Sequence, residues 1–322
     1  MLNRRSALAL ALAAPAIARA QAPWKPDRPI RAIVPFAPGG TTDVVARVVA
    51  EFVAQQLGQP LIVENRPGGA AGLVGMDAVA KAAPDGQTIL IHSNAHVIAP
   101  ALVARLPFDP IGDFSPVALL GRVPQVMVVN PRSRARDMTS LLEWLRAEPG
   151  KHHFASAGIG SAVHLAGEVF RAVAQLDIQP VHYRGGGPAM QAVIAGEVVF
   201  TVDPVASAAG HIRGGSVRAI CISGPERVAS LPDVPSSTEA GLPDFRADAW
   251  VVALAPARTP APVLAGLQAA FAAALQAAEP RLGELGTRLD RGITTGDQLM
   301  AFMRQDMQRN VAVLRAAGVQ PE

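Results

Sequence analysis

The chain has 322 residues, of which 50% are hydrophobic and 17% are charged, so it is expected to be globular with room for two domains rather than disordered. Its net charge of +3 arises in the first twenty residues, where Arg4, Arg5 and Arg19 stand without any acidic residue; removing these three from the 29 basic residues leaves 26 basic against 26 acidic. A balanced chain has no net attraction for nucleic acid or anionic membranes, so neither is expected as a partner.

The first twenty residues have the three-part pattern of a secretory signal peptide. A basic start is followed by an apolar stretch, Ala7 to Ile17, and then by small residues at Ala18 and Ala20. The apolar stretch is well short of the ~20 residues that a membrane-spanning helix needs. We therefore expect cleavage near Ala20 and export of a soluble protein, with the general secretory and twin-arginine routes both open. The single cysteine, Cys221, lies in an apolar run and is expected to be a buried structural thiol.

The mature chain opens with a strand, a glycine turn and a helix start. The apolar run Ile30 to Phe36 predicts the strand, and Val44 to Leu57 has apolar residues at helical spacing. Free backbone N–H groups and the positive end of a helix dipole meet at such a turn, and glycine lets a ligand approach the backbone. We expect a carboxylate or phosphate site here; the candidate residues are Gly39, Gly40, Thr41, Thr42 and Asp43. The alternative is an ordinary capped turn.

Strands and helices then alternate through the rest of a first open α/β unit. Strands are predicted at Leu61 to Glu64 and Thr88 to His92, with a helix at Gly72 to Ala83 between them. This alternation predicts parallel pairing, in which ligands bind at the carboxyl ends of the strands. Ser93 and Asn94 fall at one such end, as ligand contacts or as ordinary turn residues. Phe108 to Val117, rich in Pro and Asp, is predicted to be an irregular connection.

A second open α/β unit begins near Val126. Its predicted elements are the helix Thr139 to Ala147, strand His153 to Ala155, helix Ser161 to Ala174, strand Ile178 to Tyr183, helix Pro188 to Ala195, strand Val198 to Val202, helix Val205 to Ile212 and strand Val217 to Ser223. The stretch Ser156 to Phe170 repeats the first motif, with a Gly/Ser loop before a helix. Ser156, Gly158 and Ser161 are its candidate ligand contacts, and His164 is either a contact or a buried structural histidine.

After a Pro-rich linker, Leu231 to Pro243, the chain is expected to return to the first unit. Asp248 to Ala255 predicts a strand, and Pro260 to Ala278 and Thr295 to Ala317 predict long helices. No spacing typical of a metal site is present, and no cofactor is expected, because neither a GxGxxG nor a Lys-bearing phosphate loop occurs. A serine hydrolase is disfavoured by the lack of a GxSxG motif.

Seven motifs, in order along the chain, carry a resemblance to one family. They are PFAPGGTTD (Pro35 to Asp43), ENRPGGAAG (Glu64 to Gly72), APDGQT (Ala83 to Thr88), FDPIGDFSPV (Phe108 to Val117), ASAGIGSAVHLAGE (Ala155 to Glu168), VHYRGGGPA (Val181 to Ala189) and LPDVPSSTEAGLP (Leu231 to Pro243). Together they resemble the periplasmic solute-binding proteins of tripartite tricarboxylate transporters, the Bug family. The resemblance covers essentially the whole mature chain.

The resemblance implies a two-lobed periplasmic binding protein of type II, a Venus flytrap with two open α/β domains and a central cleft. Lobe 1 would comprise residues 21–124 plus 248–322 and lobe 2 residues 125–247, with hinges near Val123 to Val126 and Arg246 to Asp248. It further implies that backbone amides and water of the loops at Gly39 to Asp43 and Ser156 to Ser161 hold a carboxylate. Asp203 matches an acidic position that contacts the ammonium group in members that bind amino acids.

The implied function is capture of a small carboxylated molecule, a dicarboxylate, an amino acid or a related organic acid, by a periplasmic monomer that delivers it to membrane permease subunits. Three departures, Pro204 with Val205, Ala99 and His182, touch the side walls of the cleft and leave the ligand's identity open. Two alternatives stay open: an exported enzyme acting on a carboxylated substrate, and a ligand sensor for a signalling system.

Overall fold

The computed structural model describes residues 24–316 and 318–321, so the predicted signal peptide at residues 1–20 lies outside the described residues. The strands are β1 (Ile30–Val34), β2 (Leu61–Asn65), β3 (Thr88–Ser93), β4 (Phe114–Val123), β5 (Gln125–Val129), β6 (His152–Ser156), β7 (Ile178–His182), β8 (Phe200–Pro204), β9 (Arg218–Ile222) and β10 (Ala249–Pro256). The helices are α1 (Thr41–Leu57), α2 (Leu73–Ala80), α3 (Ala95–Leu102), α4 (Met138–Ala147), α5 (Ala162–Val173), α6 (Gly186–Ala195), α7 (Val205–Arg213), α8 (Ala261–Glu284) and α9 (Gly296–Ala316).

The first sheet has the strand order β2-β1-β3-β10-β4. Strand β1 runs parallel to β2 and β3, as the alternation of strands and helices predicts. Strand β10, for which no pairing is predicted, runs antiparallel to both of its neighbours, β3 and β4. We call this sheet and the helices packed on it the first lobe.

The second sheet has the order β7-β6-β8-β5-β9. Strand β6 is parallel to β7 and β8, whereas β5 is antiparallel to β8 and β9. We call this sheet and its helices the second lobe. Each lobe therefore has a parallel half, whose strand ends carry the glycine loops, and one antiparallel strand that the chain uses to pass to or from the other lobe.

Two crossovers join the lobes. Only Pro124 separates β4 from β5, and residues 223–248 lead from β9 to β10. Buried Gln125 links the two crossovers through two hydrogen bonds. Its side-chain Nε2 donates to the backbone carbonyl of Ala247 at 2.6 Å, and its backbone carbonyl accepts from the backbone N–H of Ser223 at 2.8 Å. These two hydrogen bonds link the crossovers at the point where the lobes meet, although the side-chain oxygen of Gln125 is buried there without a hydrogen-bond partner among the described residues.

The apolar core is continuous between the lobes. One cluster holds first-lobe residues such as Leu102, second-lobe residues such as Leu165 and Phe170, and Leu314 of α9. Helix α9 contacts α3 and β4 in the first lobe and α5 in the second. Met303 of this helix is buried and Met300 and Met307 pack against the same cluster, in agreement with a packing role for the methionine row.

Helix α8 is the one helix among the described residues that is long and apolar enough to cross a membrane by length and composition. It packs instead on α1 and β4, with Leu267, Phe271 and Ala274 buried in the first-lobe cluster. The helix also continues past the predicted end at Ala278 and passes through Pro280. A row of buried residues on one side is what a helix covering a sheet requires.

One sequence expectation needs correction, and one helix is not predicted. Phe108 to Val117 is not wholly irregular, because β4 already begins at Phe114. Helix α3 has no counterpart in the sequence expectations, and it is buried at nearly every position with Pro100 inside it. A helix that is apolar all round shows no amphipathic period, and an internal proline argues against a helix.

Candidate functional site

The carboxyl ends of β1 and β3 in the first lobe and of β6 and β8 in the second carry the predicted site residues. The lobes touch beside them: a Cβ placed on Gly160 of the second lobe would lie 2.3 Å from Leu102 Cδ1 of the first. Ala162, the first residue of α5, packs against the first-lobe cluster. The start of α5 therefore lies at the boundary between the lobes.

The first-lobe loop, residues 35–42, presents its backbone at the surface. Gly39, Gly40 and Thr41 are exposed, and Thr42 is buried. Gly39 has φ +85°, a conformation that favours glycine, and Gly40 caps α1 without a side-chain hydrogen bond. The first backbone N–H groups of α1 have no partner within the helix, so they are available to an acceptor from outside it.

Asp43 holds this loop from inside. Its buried carboxylate accepts from the backbone N–H of Gly39 at 2.9 Å, from Asn65 Nδ2 at 2.9 Å and from Arg47 Nε at 3.0 Å. Burial alone would raise the pKa of Asp43, but the hydrogen bonds from Arg47, Gly39 and Asn65 outweigh it and hold the pKa below its ordinary value. Asp43 thus faces its own loop, and its charge is already matched by Arg47.

At the end of β3, Ser93 is half-buried and Asn94 is buried. Ser93 Oγ accepts from the backbone N–H of Ala95 at 3.3 Å, the turn contact that sequence reasoning left open. The side-chain amide of Asn94 forms no hydrogen bond with the described residues, although it precedes the first turn of α3. The side-chain amide of Asn94 and the hydroxyl hydrogen of Ser93 are thus both uncommitted among the described residues.

The second-lobe loop, Ser156 to Ser161, is built almost entirely from its own polar groups. Ser156 is buried, and its Oγ accepts from the backbone N–H of Gly158 at 3.2 Å. Ser161 Oγ caps α5 by accepting from the N–H of His164 at 3.0 Å. His164 Nδ1 in turn accepts from the N–H of Gly160 at 3.1 Å, and its Nε2 lies 3.7 Å from Glu168 Oε1. Both ring nitrogens of His164 therefore face the protein.

Asp203 lies in β8, buried, and accepts a hydrogen bond from the hydroxyl of Ser207. Its Oδ1 forms no hydrogen bond with the described residues and lies 3.3 Å from the position a Cβ on Gly186 would take at the start of α6. Burial raises the pKa of Asp203 to about 6, against the opposing effects of Ser207 and His211. One oxygen of this carboxylate is thus left without a protein partner.

The arrangement suits an anion held by backbone amides. Arg47 is committed to Asp43 and Asn65, so it cannot act as a free cation beside the first loop. Within residues 24–316 and 318–321, no group of three or more His, Cys, Asp or Glu is placed to hold a metal ion. Asn65, Arg47 and Ser207 were not identified from the sequence, because their roles depend on contacts with residues far along the chain or one helical turn away.

A protein-family comparison matches residues 45–319 to the model described as the tripartite tricarboxylate transporter family receptor. Among characterised sequences, BugT of Bordetella pertussis is 36% identical over 295 residues, covering 91% of this chain and 90% of BugT.

Solved structures agree. MatC from Rhodopseudomonas palustris with bound malate superposes with a TM-score of 0.77 at 34% identity, covering 90% of this chain and 99% of MatC. The R. palustris protein Rpa4515 with adipate gives a TM-score of 0.80 at 28% identity, covering 92% of this chain and 99% of that protein. The fold is that of a two-lobed type II periplasmic binding protein, as the motifs imply.

Proposed function

The chain belongs to the tripartite tricarboxylate transporter receptor family, the Bug family of periplasmic solute-binding proteins, and from that membership we propose that it captures a small carboxylated molecule for a tripartite transporter. The relatives MatC and Rpa4515, solved with malate and adipate, support a carboxylate as the ligand. In this proposal the partners are the membrane permease subunits of the transporter, the leader is removed near Ala20, and the protein is a monomeric receptor without catalytic turnover.

The observation that carries the proposal is the pair of helix starts. Exposed Gly39 and Gly40 precede the free amides of α1, the first of which belongs to exposed Thr41. The loop Gly158 to Ser161 precedes the free amides of α5. Desolvating a carboxylate costs several kcal/mol unless its hydration is replaced, and uncommitted amides with bridging water can replace it. Ser93, Asn94 and the free oxygen of Asp203 would then contact the rest of the ligand.

Binding would be coupled to closure of the two lobes. We assign residues 21–124 plus 248–322 to lobe 1 and 125–247 to lobe 2, with rotation at the two crossovers joined by Gln125. A ligand that contacts both helix starts makes more contacts in the closed state than in the open one, and that difference stabilises closure.

The test is calorimetric and thermal-shift titration with malate, succinate, adipate and an amino acid such as aspartate. We expect at least one of them to raise the melting temperature, because a ligand that binds only the folded state stabilises it. Gly40→Trp should abolish that shift. Its backbone has an ordinary φ of −73°, and a Cβ there would meet only the Ala37 carbonyl oxygen at 3.7 Å, so the variant is expected to fold.

Gly210→Trp is the matched control. Gly210 is exposed on α7 and a Cβ there would meet no atom within 4 Å, so this variant should fold and bind as the wild type does. The proposed site is wrong if Gly40→Trp binds the same ligand as tightly as Gly210→Trp. Formation of product from a bound carboxylate would instead support an enzyme.

A further inference from the structure

The tip of the second-lobe loop carries a large apolar side chain in an unusual place. Ile159 is 61% exposed, one of three large hydrophobic residues left exposed among the described residues. Exposure of a single apolar residue is common and means little by itself. What distinguishes Ile159 is that its neighbours on both sides belong to the proposed carboxylate site.

The loop is folded so that Ile159 must project from it. Gly158 and Gly160 flank it with φ of +118° and +73°, and the backbone N–H of Ser161 donates to the Gly158 carbonyl at 3.1 Å to close the turn. The N–H of Gly160 is held by His164. With the backbone fixed on both sides, the side chain at position 159 has a defined direction away from the loop.

The loop tip also lies at the boundary between the lobes. Gly160 abuts Leu102 of the first lobe, and Ala162 packs against the first-lobe cluster. Along the chain, Ile159 is thus one residue before Gly160, which makes the interlobe contact, and three residues before Ala162, whose N–H is the first free amide of α5. In the proposed binding mode the carboxylate lies at the free amides of α5, and the carbon atoms next to it are the part of the ligand that the tip would meet.

The cations at the first-lobe loops are not free to hold a polar ligand body. Arg47 and Arg66 at the first-lobe loops are committed to acidic partners, Asp43 and Glu64. Ser156 Oγ is hydrogen-bonded to Gly158 and His182, and Ser161 Oγ accepts from the N–H of His164. The side chain that the loop offers outward is therefore the hydrocarbon of Ile159.

We propose that Ile159 contacts the hydrocarbon part of the bound carboxylate and makes the site select carboxylates with unsubstituted chains over hydroxylated ones of the same charge. This inference rests on the proposed carboxylate-binding function and adds to it the chemical class of the ligand. A hydroxyl group placed against Ile159 would lose its hydrogen bonds to water without gaining a partner.

The experiment compares succinate with malate, which differ by one hydroxyl group, and adds adipate as a longer unsubstituted acid. Affinities are measured by calorimetry for the wild type, Ile159→Asn and Ile62→Asn. Ile62 is the matched control: it is 50% exposed and lies in edge strand β2, outside both loops. Neither isoleucine has a positive φ, so asparagine fits both backbones, and unchanged melting temperatures without ligand verify folding.

We expect the wild type to bind succinate or adipate more tightly than malate. Ile159→Asn should weaken binding of the unsubstituted acids roughly tenfold while changing malate affinity little, and Ile62→Asn should change neither. A wild-type preference for malate, an equal loss for all three acids or no loss at all would each overturn the inference while leaving carboxylate binding intact. If none of the acids binds the wild type, the proposed function fails for these ligands, and the inference fails with it.

Discussion

The two glycine loops that begin α1 and α5 have the same backbone conformation and different side-chain chemistry. In each, the third residue of the helix accepts the backbone N–H of a positive-φ glycine four residues earlier: Asp43 accepts from Gly39, and His164 accepts from Gly160. The N-cap residues, Gly40 and Ser161, have nearly equal dihedral angles, φ −73° and ψ 162° against φ −69° and ψ 158°.

The acceptors differ in charge and surroundings. Asp43 is a carboxylate whose charge is matched by Arg47, and Asn65 adds a further hydrogen bond. His164 offers a ring nitrogen inside the second lobe, where the contact requires Nδ1 to be unprotonated. Each of these two acceptor side chains holds its loop in place, and neither leaves an unmatched negative charge beside the free amides. What the two loops share is therefore the backbone conformation at the helix start, with first amides that have no partner within the helix, and that is the part an anion would use.

The largest effect is expected where the acceptor is charged. Asp43→Ala removes the partner of Gly39, Asn65 and Arg47 at once, and breaking a buried charged network of this kind costs about 3 kcal/mol of unfolding free energy. Chemical denaturation at pH 7 measures the loss, and ligand-induced stabilisation should disappear as well because the loop is no longer held.

The effect of Asp43→Ala should depend on pH. The pKa of Asp43 in the folded protein is lowered from its ordinary value of 3.8, so its stabilisation is present above that value and is lost as the pH falls through the lowered pKa. The difference between wild type and variant should therefore shrink in acid. A difference that stays constant from pH 7 to pH 3 would contradict an ionised Asp43, and Asp43→Asn, which keeps an acceptor for Gly39, should lose less than the alanine variant.

A smaller loss is expected in the second loop. His164→Ala leaves the N–H of Gly160 without its acceptor in a buried setting, which costs about 2 kcal/mol. His164→Asn places an oxygen near the position of Nδ1 and should recover part of that stability, together with ligand binding. If the asparagine variant is no more stable than the alanine variant, the contact with Gly160 is not what His164 contributes.

The sequence predicts most strands and helices of both lobes because the strands are short apolar runs, the helices have apolar residues at helical spacing, and Gly or Pro separates many of them. It locates both glycine loops for the same reason. It does not predict which way the side chains of Asp43 and His164 point. Each side chain points toward its own loop, because it accepts a backbone N–H of a glycine there. It also misses α3, which is apolar on all sides, and the antiparallel position of β10, whose partners β3 and β4 lie more than 120 residues earlier in the chain.

The smallest expected effect concerns the caps. Since Gly40 and Ser161 share one backbone conformation, Gly40→Ser should give α1 the side-chain cap that α5 has, and Ser161→Gly should remove it from α5. Serine is better than glycine at an N-cap by only a few tenths of a kcal/mol, so the two variants should shift the unfolding free energy by about 0.5 kcal/mol in opposite directions. Denaturant midpoints measured without ligand resolve this difference. Shifts of the same sign would show that the first loop, unlike the second, depends on something other than its cap.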